Sequence, residues 1–486
     1  MFREFQTSYG IVRGHIEGDV VRLSRLRYAL PAYGARRFAK PYPLDRWDGV
    51  LDATGPSAMA PQWPPRLASV MGDYAIEQSE DCLHLDIWIP SESNQELPVF
   101  VFLHGGAFIA GGGGMPCYDG SLLASQGNMI VVNVSYRLGA LGLLPIPGVV
   151  PANLTLHDQI AALCFIREEI AAFGGDNRRI TVAGQSAGAL SIALLLAQPD
   201  SQDLFDQAIM LSAPLGSSLQ TAEEAAETVA KPLLSSLGID ARDRKALCGV
   251  PVTLLLKAQR EIMRLFAERT PPNILGMPFR PTIDNEIVHI RPTANEAGFC
   301  RPVIMGATSD EFNAFWYGVP GLLAFDEKLL AAQSAERSPA ERKCPAAAAG
   351  SAATARSMLK LSTEATFLEP MLNILDRHAA NGGIGFAYQF DWSPSGSPLG
   401  ACHCIELPFL FGNLKTWKKA AMLAGAGDEE LSSLRRDFQR AIISFVVNGD
   451  PATGSQVEWP GFERGGPLLH FGRSIEKSAG VSHADR

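Results

Sequence analysis

Residues 180–188 read Ile180-Thr181-Val182-Ala183-Gly184-Gln185-Ser186-Ala187-Gly188, and this run decides the fold. Ile180–Ala183 is short, apolar and β-favouring, whereas Ala187–Ala197 is a run of strong helix formers. The G-x-S-x-G pentapeptide between them therefore sits at a strand-to-helix turn. Small neighbours let the chain turn sharply there, so the Ser186 hydroxyl projects from the sheet edge. The helix N-terminus behind it favours developing negative charge. A serine in this place could serve as a plain helix N-cap. The bare pentapeptide also says little in a chain with 46 glycines. The flanking strand and helix make it informative.

Outward from this turn, other apolar β-rich runs recur: Val99–Leu103, Met129–Val134, Ala208–Leu211, Pro302–Met305 and Gly385–Phe390. Helical stretches such as Asp158–Ala172 separate several of them. Continuous apolar strands alternating with helices predict an α/β fold with a mostly parallel sheet covered on both faces. At the start, Ser8–Gly14 and Asp19–Ser24 across Glu17-Gly18 predict a small hairpin. Leu329–Ala355 is Ala-rich and interrupted by Pro339, Pro345 and Gly350. It has helical propensity without a clear apolar face, so we read roughly 313–380 as a peripheral helical cap region within one domain of 1–486.

Directly after the strand Val99–Leu103 comes His104-Gly105-Gly106-Ala107-Phe108. Attack on an acyl carbon puts charge on the carbonyl oxygen, and backbone N–H groups free of side-chain obstruction can hold it. Adjacent glycines supply such groups, so the expected oxyanion donors are Gly105, Gly106 and Ala187. Gly111–Gly114 extends the loop.

The formal net charge of −9 argues against nucleic acid or an anionic membrane as partner. Met1–Gly14 lacks the apolar core of a secretory signal, and Leu97–Tyr118, though uncharged, is too rich in glycine for a membrane helix. We therefore expect a cytoplasmic enzyme with reduced thiols. The 8 cysteines show no C-x-x-C pairing. Cys402-His403-Cys404 is not a chelating arrangement, so no metal or cofactor is expected.

Together the two glycine motifs make the chain similar to the type-B carboxylesterase/cholinesterase-like family of the α/β-hydrolase superfamily. Ser79-Glu80-Asp81-Cys82-Leu83-His84-Leu85-Asp86-Ile87-Trp88 resembles that family's second signature. Tyr28-Ala29, Arg37-Phe38, Tyr136-Arg137-Leu138-Gly139, Asp158-Gln159, Phe173-Gly174-Gly175-Asp176 and Asn448-Gly449-Asp450-Pro451 match in order along nearly the whole chain. The resemblance implies a central sheet with an N-terminal hairpin and helical cap insertions. It also implies a serine hydrolase acting on neutral carboxylic esters through an acyl-enzyme.

Under that resemblance the other catalytic groups follow the serine in the order acid, then histidine. Of nine histidines, His403 lies in Gly400-Ala401-Cys402-His403-Cys404-Ile405-Glu406-Leu407-Pro408-Phe409, which is similar to the family's catalytic-histidine segment. The strand Pro302–Met305 leads into Gly306-Ala307-Thr308-Ser309-Asp310-Glu311-Phe312, where relatives carry the acid. Glu311 is the favoured residue and Asp310 its competitor. Phe312 stands where many relatives have glycine, so the back wall of the pocket is expected to differ. Ser212 matches a buried serine near the triad, either bracing Glu311 or His403 or serving as a satisfied core hydroxyl.

Cys82 has no cysteine before it, so the disulfide that eukaryotic relatives make there cannot form, which suits a bacterial type. Trp63 is the nearest tryptophan to the family's choline-stacking position, and its register does not obviously fit. The segments around Ser186 and His403 also resemble bacterial members acting on para-nitrobenzyl esters and aryl carbamates. Carbamate or aryl-amide cleavage by the same residues is thus a second reading, and a non-catalytic binding module a third. A monomer and a homodimer are equally compatible with the sequence.

Overall fold

The structure is a computed structural model. It describes residues 1–486 except 75, 93–95, 199–202, 271–273, 318–350, 454–457 and 479–486, and of 351–355 the backbone alone.

Thirteen strands among the described residues form one sheet. β1 (Phe2–Gln6), β2 (Ile11–Glu17) and β3 (Val20–Arg27) pair antiparallel, and β4 (Val50–Asp52) adds to β2. β3 continues antiparallel onto β5 (His84–Pro90), and β5 antiparallel onto β7 (Ile130–Val134). From there the sheet is parallel, through β6 (Leu97–Leu103), β8 (Gly175–Gln185), β9 (Gln207–Leu211), β10 (Val303–Thr308), β11 (Gly385–Phe390) and β12 (Leu469–Phe471). β13 (Ile475–Lys477) closes the far edge antiparallel. This is the α/β-hydrolase arrangement the sequence predicts. The opening hairpin is present as β2–β3, with β1 and the bridging β5 as additions.

Alternation along β6 shows why these runs are apolar throughout. Val99, Val101 and Leu103 enter one core, while Phe100 and Phe102 enter the other. The helices Leu154–Glu169 and Ala187–Leu196 contribute to the first core, and Leu407–Phe411 and Asp428–Asn448 to the second. All ten residues of Ala187–Leu196 are buried, consistent with a helix apolar on every side.

The strand order also locates a site. β6 is followed in sequence by β7 on one side, and β8 lies on the other, so connections diverge where β6 meets β8. Ligands of open α/β sheets bind at such a switch point, beyond the carboxyl ends of the strands. Leu103 of β6 pairs with Gly184 of β8, which sets the loops starting at His104 and Ser186 side by side. Gln185 pairs with Leu211, so β8 and β9 end at the same level, and β10, whose Gly306 pairs with Leu211, runs on to Thr308.

Much of the stretch read as an Ala-rich peripheral element lies outside the described residues. The helices Ser351–Thr363 and Glu369–Ala380 flank a wide turn at Glu364–Leu368. That part is not peripheral throughout, because Phe367 within it packs on His403 at 5.3 Å between ring centroids. Among the described residues no helix is long and apolar enough to cross a membrane.

Candidate active site

Ser186 caps the helix Ala187–Leu196 with φ 54° and ψ −117°. A non-glycine residue in that region costs on the order of 1–3 kcal/mol and persists only where its surroundings enforce it. Here they do. The Ser186 N–H donates to Leu211 O at 2.9 Å. Gly188 lets the helix press on β6, since a Cβ there would lie 2.0 Å from Leu103 O. The side chain is held 9% exposed at the carboxyl edge of the sheet.

The glycine loop beginning at His104 lies against this elbow. A Cβ on Gly105 would stand 2.5 Å from Gln185 Oε1, 3.0 Å from Gln185 O and 3.2 Å from Ser186 Cβ, so a side chain there would crowd the elbow. The N–H groups of Gly105, Gly106 and Ala187 donate to no acceptor among the described residues. His104 stacks on Tyr136 at 4.3 Å and gives Nδ1 to Gly105 O at 2.8 Å. Burial pulls its imidazole down to about 4, so it is a neutral structural ring.

His403 comes from a loop of the second core and is buried. Its Nδ1 lies 2.5 Å from Glu311 Oε2, and Glu311 Oε1 accepts the Thr308 N–H at 2.8 Å. Glu311 opens the helix Glu311–Trp316, where the helix end favours a carboxylate. Asp310, the competing acid, turns away: its Oδ2 accepts the Ala401 N–H at 3.0 Å. It fastens the histidine loop instead of touching the ring. Phe315 packs on the imidazole at 5.0 Å, with Phe312 5.8 Å from Phe315, so Phe312 does form part of an aromatic wall.

Ser212 does not reach Glu311 or His403. Its hydroxyl donates to Glu406 Oε1 at 3.1 Å, a residue not singled out from the sequence although it lies in the quoted histidine segment. Burial, then the charge of Glu311, pushes the Glu406 carboxyl up to about 8. Gln185 is the second residue missed. Its side-chain amide nitrogen lies 3.2 Å from His403 Nε2. The described cysteines, Cys82 included, are free thiols. Among the described residues no group of three or more His, Cys, Asp or Glu side chains is placed to hold a metal.

The Glu311–His403 pair thus reaches the side chain of Gln185, the residue just before the elbow serine. The profile of the carboxylesterase family matches residues 3–483. The chain belongs to the carboxylesterase family. A para-nitrobenzyl esterase from Bacillus subtilis (strain 168) is 37% identical over 94% of this chain and 92% of its own length. A phenmedipham hydrolase from Pseudarthrobacter oxydans is 32% identical over 95% and 93%. Among solved structures, a thermophilic PNB esterase superposes with a TM-score of 0.86 at 33% identity, covering 98% of both chains. Carboxylesterase membership gives the reaction class, hydrolysis of carboxylic esters.

Proposed function

We propose that this carboxylesterase cleaves neutral small-molecule esters through an acyl-enzyme on Ser186, with His403 as base and Glu311 as acid. The observation that carries this is the imidazole of His403, held at Nδ1 by a buried carboxylate beside the strained serine elbow. Ser186 Oγ attacks the ester carbonyl carbon and its proton passes to His403 Nε2. Glu311 stabilises the imidazolium while the N–H groups of Gly105, Gly106 and Ala187 hold the oxyanion. The alcohol leaves with the proton from His403. Water then attacks the acyl group as His403 takes its proton, and collapse frees the carboxylic acid and Ser186. The nucleophile, base, carboxylate and oxyanion donors of these steps are side chains and amides of this chain. A non-catalytic module would not need them in register.

The likeness to phenmedipham hydrolase supports a second reading, carbamate or aryl-amide cleavage by the same residues. One family match over 3–483 and one continuous sheet support a single domain. The net charge of −9 and the free thiols suit a cytoplasmic monomer or homodimer with no nucleic-acid or membrane partner.

The test is Ser186→Ala assayed with p-nitrophenyl acetate and a fluorophosphonate, beside a panel of aryl carbamates and anilides. Turnover should fall by on the order of 10⁶ in kcat with the fold intact. Wild type should be labelled stoichiometrically at Ser186. A variant that is still labelled, or still turns over, removes Ser186 from the mechanism.

A further inference from the structure

The base-forming nitrogen of His403 is already occupied. Its Nδ1 faces Glu311 Oε2, a carboxylate that only accepts, so the ring proton sits on Nδ1. Nε2 then carries a lone pair, and the Gln185 side-chain N–H donates to it at 3.2 Å. Ser186 Oγ, by contrast, makes no hydrogen bond among the described residues. Strand alternation explains why Gln185 reaches the ring: Ala183 enters the second core, and Gln185, two residues on, shares its face with the histidine loop. The oxygen end of the amide is lodged against the oxyanion loop, where a Cβ on Gly105 would lie 2.5 Å from Gln185 Oε1. The side chain is 1% exposed.

We propose that Gln185 is a positioning residue that latches His403 in its base-competent form while the site is idle and yields Nε2 to Ser186 for proton transfer. This rests on the reading of Ser186 and His403 given above. A single lone pair cannot serve two donors, so the amide and the serine hydroxyl compete for it. The amide bond exists only with the unprotonated nitrogen. A hydrogen bond to the neutral form disfavours the charged one, so the latch keeps the free enzyme active to lower pH. The other titratable groups around the ring are Glu311 and Asp310 from the β10 side, Cys402 and Cys404 on its own loop, and Glu406 and Tyr388 behind Glu311. Burial raises Cys402, Cys404 and Tyr388, which stay neutral through the working range. Among the described residues, Phe315 and Phe367 pack on the ring.

The experiment compares wild type, Gln185→Met and Gln185→Glu in the pH dependence of kcat/KM for p-nitrophenyl acetate and of fluorophosphonate labelling. Gln185→Met removes the donor at similar volume, and its acid limb should move up by roughly half a pH unit, with a plateau no lower than wild type. Gln185→Glu offers a carboxylate to the imidazolium, and its limb should move up by about one unit or more, roughly tenfold slower below the wild-type limb. A packing role alone would lower the plateau and leave the limb in place. Limbs superimposable on wild type overturn the latch. If neither variant folds, 15N-histidine NMR of wild type decides: a bare, hydrogen-bonded Nε2 above the acid limb supports it, and an Nε2–H tautomer overturns it. Activity surviving in Ser186→Ala would defeat the underlying mechanism instead, so the two failures are distinguishable.

Discussion

Glu311 Oε2 approaches His403 Nδ1 to 2.5 Å, with both side chains buried. The adjacent carboxylate, Asp310, spends itself on the Ala401 N–H at 3.0 Å. Glu311→Gln should therefore lower kcat by on the order of 10⁴, since an amide no longer fixes the tautomer or stabilises the imidazolium. Asp310→Asn should stay within about tenfold of wild type and act mainly on thermal stability, because a loop anchor was weakened. Steady-state kinetics on p-nitrophenyl acetate beside melting curves separates the two. An inactive Asp310→Asn with a near-normal Glu311→Gln would reverse the assignment.

Gly105→Ala is expected to damage catalysis more than folding. The added methyl would meet Gln185 Oε1 at 2.5 Å and Ser186 Cβ at 3.2 Å, displacing the amide proposed to hold the oxyanion. Removing one such donor costs about 10²–10³ in kcat. Gly188→Ala should do the opposite. Its Cβ would be driven to 2.0 Å from Leu103 O, backbone that cannot swing aside, so low melting temperature and poor folding come first. Equal losses of Tm in the two variants would contradict this division.

These glycines show which parts of the protein are legible in sequence. The strand-turn-helix about Ser186 and the glycine loop at His104 are local, because fully buried parallel strands need unbroken apolar runs and the turns need small residues. β5 does not stand out, since His84 and Asp86 break its apolar run although both are buried. β12 has three residues, too few for any period. The proposed triad acid could be narrowed to two neighbours and no further, because the choice depends on which carboxylate the chain turns towards a ring 92 residues away. Gln185 and Glu406 were both inside quoted motifs. Their roles arise from contacts across 218 and 194 residues, which no local pattern encodes.

Cationic esters should gain nothing from Trp63. Its indole N–H donates to Leu256 O at 2.8 Å, and the Arg260 guanidinium already lies 5.1 Å from the ring centroid. A cation–π site is worth about 0.5–2 kcal/mol only when its face is free. The kcat/KM of a choline ester should match that of its neutral 3,3-dimethylbutyl isostere to within about threefold, as 1.4 kcal/mol would be tenfold. A preference for choline well beyond tenfold would require another aromatic partner.

Glu406 gives the stability of the protein a definite pH dependence. Its carboxyl is buried, Oε1 accepts the Ser212 hydroxyl, and Oε2 has no hydrogen-bond partner among the described residues. Burial and the Glu311 charge raise it from 4.5 to about 8 in the folded chain. The native state then holds a proton that the unfolded state has released. Stability from this group is fully present below 4.5 and is lost progressively as pH rises through about 8. Glu406→Gln keeps the shape and an acceptor for Ser212 but cannot ionise. Its Tm relative to wild type should rise steadily between pH 5 and 8, a differential of up to a few kcal/mol by the linkage relation. Calorimetric scans of both proteins across that range measure it. A constant Tm difference would mean that Glu406 does not change its charge on unfolding, and that its neighbours compensate a buried carboxylate the contacts do not show.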